Sequence, residues 1–233
     1  MEKKNTLLLT VIAVATLLVA VVGATFAYFT ATSTGTKEQT VEVKTDTINS
    51  AEFSEGLAIQ IKANLANFGK KDEEYTVNPA TQTGTNEAHA KFTAGTAGEA
   101  SMCYNVGLVI GEGKNTFTTQ SAGYALSVPE LSMTVTKEST RGAVPETTTT
   151  TVYENLSLIG EDNETIYFPA EASGVVVTSP IQHKITSTGA NDLADDKWTT
   201  TISLNYDENN SQNDNAGSSL DAKIVFTKLD KCI

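Results

Sequence analysis

The chain has 233 residues, and its 28 acidic residues against 16 lysines and arginines give a formal net charge of -12. This balance argues against nucleic-acid binding, which needs a basic face for the phosphates, and against a polybasic attachment to anionic lipid. Charged residues make up 19% and aromatic residues 7%, which excludes a coiled coil. The 36 threonines lie mostly in alternating runs and favour strands over helices.

A hydrophobic segment opens the chain. Glu2, Lys3 and Lys4 precede it, and its apolar part, residues 7–27, has the 21-residue length of a membrane-spanning helix. The basic start predicts that residues 2–4 stay in the cytoplasm and that the chain after residue 30 lies outside.

Two interpretations of this hydrophobic segment stay open. Its small residues Thr25 and Ala27 fit a signal peptidase site, which predicts cleavage between Ala27 and Tyr28. The other interpretation is a retained membrane anchor, because the apolar stretch is longer than the usual core of a signal peptide. Cleavage removes the three charged residues at the start, which sum to +1, so the mature net charge becomes -13.

The rest of the chain consists of short alternating segments separated by turn-forming residues. About nine to eleven strands with regular turns indicate one antiparallel β-sandwich and not a parallel α/β fold. The segment 103–110 is continuously apolar and is predicted to be a central strand, whereas 52–68 fits a helix or a strand equally well. Twelve segments show this alternating or apolar pattern and supply the predicted strands: residues 41–45, 57–62, 103–110, 124–128, 131–137, 151–153, 156–159, 166–168, 175–178, 185–187, 198–206 and 222–228.

Two stretches are predicted to be loops. Residues 81–101 are rich in Gly, Ala and Thr, and residues 138–151 contain Pro145 and five consecutive threonines at 147–151. The five threonines are typical of an extended linker or an edge strand and not of a binding surface.

Two motifs carry a resemblance to a known family. Residues 22–30, Val-Gly-Ala-Thr-Phe-Ala-Tyr-Phe-Thr, resemble the end of the signal peptide in the TasA/camelysin family of Gram-positive bacteria. Residues 212–226 are similar to the C-terminal motif of that family, although Ser211 stands where Asp is frequent and Ala216 where Gln is usual. The matching positions of this second motif are Gln212, Asn213, Gly217, Ser219, Leu220 and Phe226.

The resemblance implies export and processing by a signal peptidase of the SipW type. It implies a jelly-roll-like β-sandwich, preceded by the hydrophobic helix, that assembles into fibres of the biofilm matrix or the cell surface. In such fibres the mature N-terminal segment of one subunit pairs as a strand with the next subunit, which is donor-strand exchange. The first residues of the donor strand are here Tyr28, Phe29, Thr30, Ala31 and Thr32, with Phe29 as its anchor.

The composition of the donor segment is compatible with that role, because it is uncharged at its start, rich in β-branched residues and free of proline. The alternative is that these residues are only the remainder of the cleavage region. The predicted organisation is therefore a signal peptide or anchor at 1–27, a donor segment at 28–40 and a sandwich domain at 41–233.

The predicted function is an exported structural protein that forms extracellular or cell-surface fibres by β-strand addition. Its partners are copies of itself, other matrix proteins and the signal peptidase, and its contact with the membrane is limited to residues 7–27 before cleavage. The alternative function is a membrane-anchored, monomeric surface module that binds a ligand in the manner of an adhesin.

The two cysteines, Cys103 and Cys232, lie in a chain predicted to be exported, where the compartment permits a disulfide. A bridge between them is predicted, and two free thiols are the alternative. Closing so long a loop contributes on the order of 4 kcal/mol in the chain-entropy model.

Enzymatic activity and a cofactor are not expected from these residues. His89 and His183 are the two histidines, they form no metal-binding motif, and both are predicted to be surface or turn residues. The acidic stretch 207–215, with Asp207 and Asp214, offers oxygen ligands for weak calcium binding, but it lacks the EF-hand spacing, and a solvated turn is the alternative. Another acidic cluster occupies residues 192–196.

Overall fold

A computed structural model describes most of the chain from residue 38 onward. The hydrophobic segment 1–27, the predicted cleavage site and the first residues of the donor segment lie outside the described residues. No helix among the described residues has the length and hydrophobicity of a membrane span. The described ranges are 38–41, 48–63, 82–95, 100–142, 146–162, 164–187, 189–207 and 209–232.

The described chain is all-β and forms two antiparallel sheets. The strands are β1 Glu38–Val41, β2 Ile48–Ser54, β3 Ile59–Lys62, β4 Gln82–Ala94, β5 Ala100–Asn115, β6 Leu131–Arg141, β7 Glu146–Ser157, β8 Thr165–Tyr167, β9 His183–Ser187, β10 Leu193–Leu204 and β11 Ser219–Leu229. Sheet A has the order β1-β2-β4-β10-β6-β7, and sheet B has the order β3-β11-β5-β8. β9 pairs with β5 on the same edge as β8, because β11 occupies the other edge of β5.

Alternation in the sequence decides which face of each strand is buried. Every second residue of β10 from Ala194 to Leu204 is buried, as expected where side chains point to opposite faces in turn. The buried faces of the two sheets meet in one core. Phe53 of sheet A packs against Tyr104 and Phe226 of sheet B, with ring centroids 5.9 and 5.3 Å apart. The two-sheet antiparallel architecture predicted from the sequence is confirmed.

The predicted central strand at 103–110 lies within β5, which runs through the interior of sheet B. Gly107 permits this packing, because a Cβ atom at this position would lie 2.7 Å from the carbonyl oxygen of Ile166 in β8. A larger residue here would push β8 away from β5.

The two predicted loops are wrong, because both stretches contain long strands. Residues 82–94 form β4, and its Ala88, Ala90 and Ala94 are fully buried between β2 and β10. Alanine has a low strand propensity, but packing between two neighbouring strands outweighs that preference. Residues 138–141 and 146–151 belong to the paired strands β6 and β7.

Two predicted strands are also wrong. In residues 124–128 the backbone N–H of Ala125 donates to the Asp207 carboxylate and not to a neighbouring strand. In residues 175–178 Val175 is 70% exposed, and Ser173 holds it through hydrogen bonds of its hydroxyl to the Val175 backbone. Side-chain hydrogen bonds to the backbone compete with strand pairing in both segments.

Candidate functional site

The five threonines at 147–151, called here the threonine edge, lie on β7 at one border of sheet A. Of the two structures predicted for them, the edge strand is confirmed. Residues 146–151 are all exposed, and among the described residues no backbone hydrogen bond from outside the sheet reaches them. In the part of the chain that the structure describes, the first such bond to β7 lies further along, where the carbonyl of Val152 accepts from the N–H of Ser173 at 2.8 Å.

The borders of sheet B differ from the threonine edge in length and charge. β3 has four residues and carries the exposed Lys62, while β8 has three residues and β9 has five with the exposed Lys184. Short edge strands and lysines are the usual protection against pairing with another chain. The threonine edge, within a strand of 12 residues, has neither protection.

A cluster of charged side chains lies between the sheets beside the threonine edge, with one buried carboxylate and two half-buried cations. Asp196 of β10 is fully buried, and its carboxylate contacts Lys137 Nζ at 2.9 Å and Arg141 Nη2 at 2.5 Å. It also accepts hydrogen bonds from the hydroxyls of Ser139 and Tyr104, both at 2.7 Å. The two cations and Ser139 come from β6, so this cluster ties β6 to β10 and to sheet B.

Aromatic rings extend the charged cluster into the core. Trp198 Nε1 donates to Tyr104 Oη at 3.0 Å, and Lys137 Nζ lies 5.3 Å from the centre of the Trp198 ring. The ring of His183 stacks on Tyr104 and meets the edge of Trp198, while its Nε2 lies 2.9 Å from the carbonyl of Phe168. This polar cluster therefore has a partner for each group that it buries.

Burial and charge shift the pKa values in this cluster in opposite directions. Burial alone would raise the pKa of Asp196, but the positive charges of Lys137 and Arg141 lower it further than burial raises it. The pKa of Asp196 therefore lies below 3.8. Burial lowers the pKa of His183 to about 4, so the ring is neutral at pH 7. Burial and the nearby Asp196 raise the pKa of Tyr104 well above 10.0. These shifts fit a cluster that stabilises the fold.

A second buried cluster surrounds Glu130 at the other end of β6. The fully buried carboxylate accepts from the N–H and the hydroxyl of Ser121, at 2.7 and 2.9 Å. It also accepts from Gln212 Nε2 at 3.0 Å and from Asn215 Nδ2 at 2.9 Å. Burial and the nearby Glu130 raise the pKa of Tyr124 to about 12. The cluster joins the loop before β6 to the turn before β11.

The C-terminal motif contributes to this second cluster. Gln212 is fully buried, and its Oε1 accepts from the N–H of Asp207 at 2.7 Å. Asn213 is exposed and begins a short 3-10 turn, and Gly217 follows with a φ of +85° that favours glycine. The motif ends with Ser219, whose N–H donates to Thr116 Oγ1, with the buried Leu220 and with Phe226, which packs on Phe53 and Tyr104.

The two candidate calcium ligands both accept hydrogen bonds from backbone N–H groups of the loop before β6. Asp207 accepts from Asn210 Nδ2, from the N–H of Ala125 and from the N–H of Asn209, and these bonds lower its pKa. Asp214 accepts from the N–H of Ala122 at 2.9 Å. In the part of the chain that the structure describes, no group of three or more His, Cys, Asp or Glu side chains is placed to hold a metal ion.

The two cysteines are joined in the structure. Cys103 in β5 and Cys232 after β11 form a disulfide with a Cα–Cα distance of 5.4 Å. The bridge attaches the end of the chain to the interior strand of sheet B.

The surface or turn position predicted for His183 is wrong, whereas His89 lies on the outer face of sheet A. His183 lies on β9 and is buried, because its ring fills the core beside Trp198. His89 lies on β4, half-buried, and pairs with Asp195 at 3.0 Å.

The roles of Asp196, Lys137 and Glu130 were not predicted from the sequence. One signal was present, because Lys137 continues the inward-facing series of Met133 and Val135 in β6. A charged residue at an inward position of an alternating strand indicates a buried partner.

No protein-family model matches this chain, and a search of curated proteins finds no match.

Proposed function

We propose that the chain is an exported structural protein that assembles into extracellular matrix or cell-surface fibres by addition of a β-strand to a neighbouring subunit. The sandwich is of the jelly-roll type. Signal peptidase cleaves the chain after Ala27 and leaves Tyr28 at the N-terminus. The donor strand then comprises residues 28–40, of which Glu38 to Thr40 lie in β1 and pair with β2.

The threonine edge carries this proposal, and the binding role proposed for it here departs from the expectation drawn from the sequence. This border of sheet A is exposed, uncharged and β-branched. A strand from a neighbouring subunit could pair with it through main-chain hydrogen bonds. The alternative of a chemical role finds no support in the buried clusters, because their carboxylates are occupied by cations, N–H groups and hydroxyls of the fold itself.

Electron microscopy of the chain secreted by an expression host tests the proposal. We expect filaments with a regular repeat at neutral pH. Replacing residues 28–36 by a glycine-serine segment of equal length should abolish filaments, because the replacement keeps the length but removes the β-branched donor. The near-ultraviolet circular dichroism of the buried Trp198 should stay unchanged and report an intact sandwich.

Two results decide between the alternatives, and a comparison with and without calcium adds a further test. Filaments that persist after the replacement would contradict strand donation. A secreted product that retains Met1 and stays monomeric would favour the anchored, adhesin-like module. Comparison of samples with calcium and with a chelator shows whether weak calcium binding has a part in assembly.

A further inference from the structure

We propose that the outer face of sheet B binds a linear acidic polysaccharide through a diagonal line of three exposed lysines and an apolar strip beside it. The three lysines, called here the lysine line, are Lys62 of β3, Lys223 of β11 and Lys184 of β9. The inference goes beyond the proposed function, because it concerns what the sandwich binds and not how subunits join.

The outer face of sheet B is positive although the whole chain is acidic. At paired positions whose side chains point away from the core, its strands carry the three lysines and one carboxylate, Asp221, which gives a net charge of +2. Asp221 accepts a hydrogen bond from Gln60 Nε2 at 3.4 Å, at the β3 end of the line. The corresponding positions of β2, β4, β6, β7 and β10 in sheet A hold four carboxylates and two lysines, which sum to -2: Glu52, Glu87, Glu138, Asp195, Lys91 and Lys197. Sheet B therefore presents the face that attracts an anion.

The strand registers place the three lysines on nearly one straight line. Lys62 lies opposite Ser219, four residues before Lys223 on β11. Lys184 lies across β5 from Leu229, six residues after Lys223. With the usual rise along a strand and the usual spacing between strands, the successive lysines are about 14 and about 22 Å apart, and the line is about 36 Å long. A straight row of charges of this length fits an extended polymer.

Protection of the sheet border does not account for the whole line. Lys62 and Lys184 lie on short border strands, where lysine prevents pairing with another chain. Lys223 lies on β11, which has a neighbouring strand on each side and needs no such protection. Among the described residues none of the three lysines forms an ion pair, whereas Lys197 on sheet A contacts Glu138 at 2.5 Å. The ammonium groups of the line are therefore available to a ligand.

An apolar strip crosses the face between Lys223 and Lys184. Gly107 of β5 lies in the middle of this strip, with Val225 of β11 and Tyr167 of β8 directly opposite it on either side. Gly107 is buried although it faces outward, and its two neighbours are half-buried. A tyrosine ring and an aliphatic group beside a position without a side chain give apolar surface for the C–H groups of a sugar ring.

Polar groups border the apolar strip. Asn105 of β5 and Thr227 of β11 are opposite each other at the next outward position, half-buried and exposed respectively. An amide and a hydroxyl both donate and accept hydrogen bonds, as the hydroxyls of a sugar require. Apolar surface with a few polar groups and nearby cations distinguishes this site from one that recognises charge alone.

The negative charge elsewhere on the chain does not oppose this binding strongly. Charges are screened over about 8 Å at physiological ionic strength, and packed sheets are about 10 Å apart. A ligand on the outer face of sheet B is therefore largely screened from the acidic outer face of sheet A. A thin polymer contacts only the lysine line, whereas a second copy of the chain brings its own net charge of -12. These charges favour a polysaccharide over a second copy as the occupant.

Titration of unassembled subunits with polygalacturonate, a linear polymer of an acidic sugar, tests the inference. Lys184→Gln with Lys223→Gln removes two charges from the lysine line and should raise the dissociation constant about tenfold. Lys91→Gln with Lys197→Gln makes the same change of charge on sheet A and should leave the dissociation constant within about twofold of the wild type. Affinity of the wild type should fall as salt is added, and neutral dextran should bind more weakly than polygalacturonate.

Two variants of Tyr167 test the apolar strip. Tyr167→Phe keeps the ring and should bind as the wild type does. Tyr167→Thr keeps a β-branched residue in the strand but removes the ring, and it should raise the dissociation constant about fivefold. The thermal midpoint reports whether each variant is folded.

Four outcomes would overturn the inference. They are absence of polygalacturonate binding by the wild type, equal losses of affinity in the two lysine variants, and equal affinity for polyglutamate of the same length, which would exclude recognition of a sugar. The fourth is self-association that the Lys184 and Lys223 variant loses at unchanged polygalacturonate affinity, which would assign the face to a second copy. Electron microscopy of the same variant should show filaments as in the wild type, so failure here leaves the proposed strand addition intact.

Discussion

Two buried carboxylates lie near opposite ends of the β6–β10 pair, and the fold provides them with different kinds of hydrogen-bond donor. Asp196, opposite Ser139, is held by two cations, whereas Glu130, directly before β6, is held by uncharged N–H and O–H donors. The cations of the first site belong to β6, next to the threonine edge. The donors of the second site belong to loops. The Asp196 cluster, called here the ionic site, therefore holds the β6–β10 strand pair together. The Glu130 cluster, called here the neutral site, holds the loops at the other end.

The difference matters for assembly, because only the ionic site supports the part of β7 that is proposed to accept a strand. Damage to Asp196 should reduce both stability and polymerisation. Damage to Glu130 should reduce stability alone at temperatures where the chain remains folded.

The largest effect is expected for Asp196→Ala. The substitution leaves Lys137 and Arg141 without their buried partner, and it should lower the free energy of unfolding by about 3–5 kcal/mol. Urea unfolding of unassembled subunits measures this loss. Asp195→Ala is the matched control, because Asp195 lies on the opposite face of β10 in a half-exposed pair with His89, and we expect less than about 1 kcal/mol there. Equal losses of unfolding free energy in the two variants would contradict a larger contribution from the carboxylate on the inner face of β10.

The next effect is a pH dependence at the ionic site. The pKa of His183 is about 4 in the folded chain against 6.5 for the exposed ring, so the unfolded chain binds more protons between these values. Stability should fall by about 3 kcal/mol as the pH drops from 6.5 to 4. The contribution of Asp196, whose pKa is lowered from 3.8, is lost only at still lower pH.

His183→Phe isolates this pH dependence. The phenyl ring can still stack between Tyr104 and Trp198 but cannot take up a proton, so urea unfolding between pH 4 and 6.5 should show a smaller slope than the wild type. An identical slope in both proteins would show that His183 is not its source.

A smaller effect is expected for Glu130→Gln. The new amide group points N–H donors at the N–H donors of Gln212 or Asn215, which leaves buried groups unpaired and costs about 2 kcal/mol. Glu138→Gln on the outer face of β6 is the control, with an expected loss below about 1 kcal/mol. Polymer yield of the folded Glu130 variant should equal that of the wild type. A selective loss of polymer would contradict the separation of the two sites.

The two-sheet architecture was predictable from the sequence because alternation and turn residues are local signals. The interior position of the 103–110 strand followed from its continuous apolar run in the same way. The alanines of β4 were misjudged because their burial depends on two strands that are distant in the sequence.

The buried clusters were not predictable because they depend on long-range pairing. Asp196 meets Ser139 only through the register of β10 on β6, and Gln212 reaches Glu130 across 82 residues of sequence. Gln212 is one of the matching positions of the C-terminal motif, but the motif does not indicate which groups it contacts.

Hydrogen exchange of backbone amides in the polymer, compared with dissociated subunits, tests the assembly proposal most directly. Pairing at β7 predicts that residues 146–151 exchange at least about tenfold more slowly in the polymer. The border strands β3 and β9 should exchange at the same rate in both states. Unchanged exchange at residues 146–151, or protection that appears at β3 or β9 instead, would contradict the proposal.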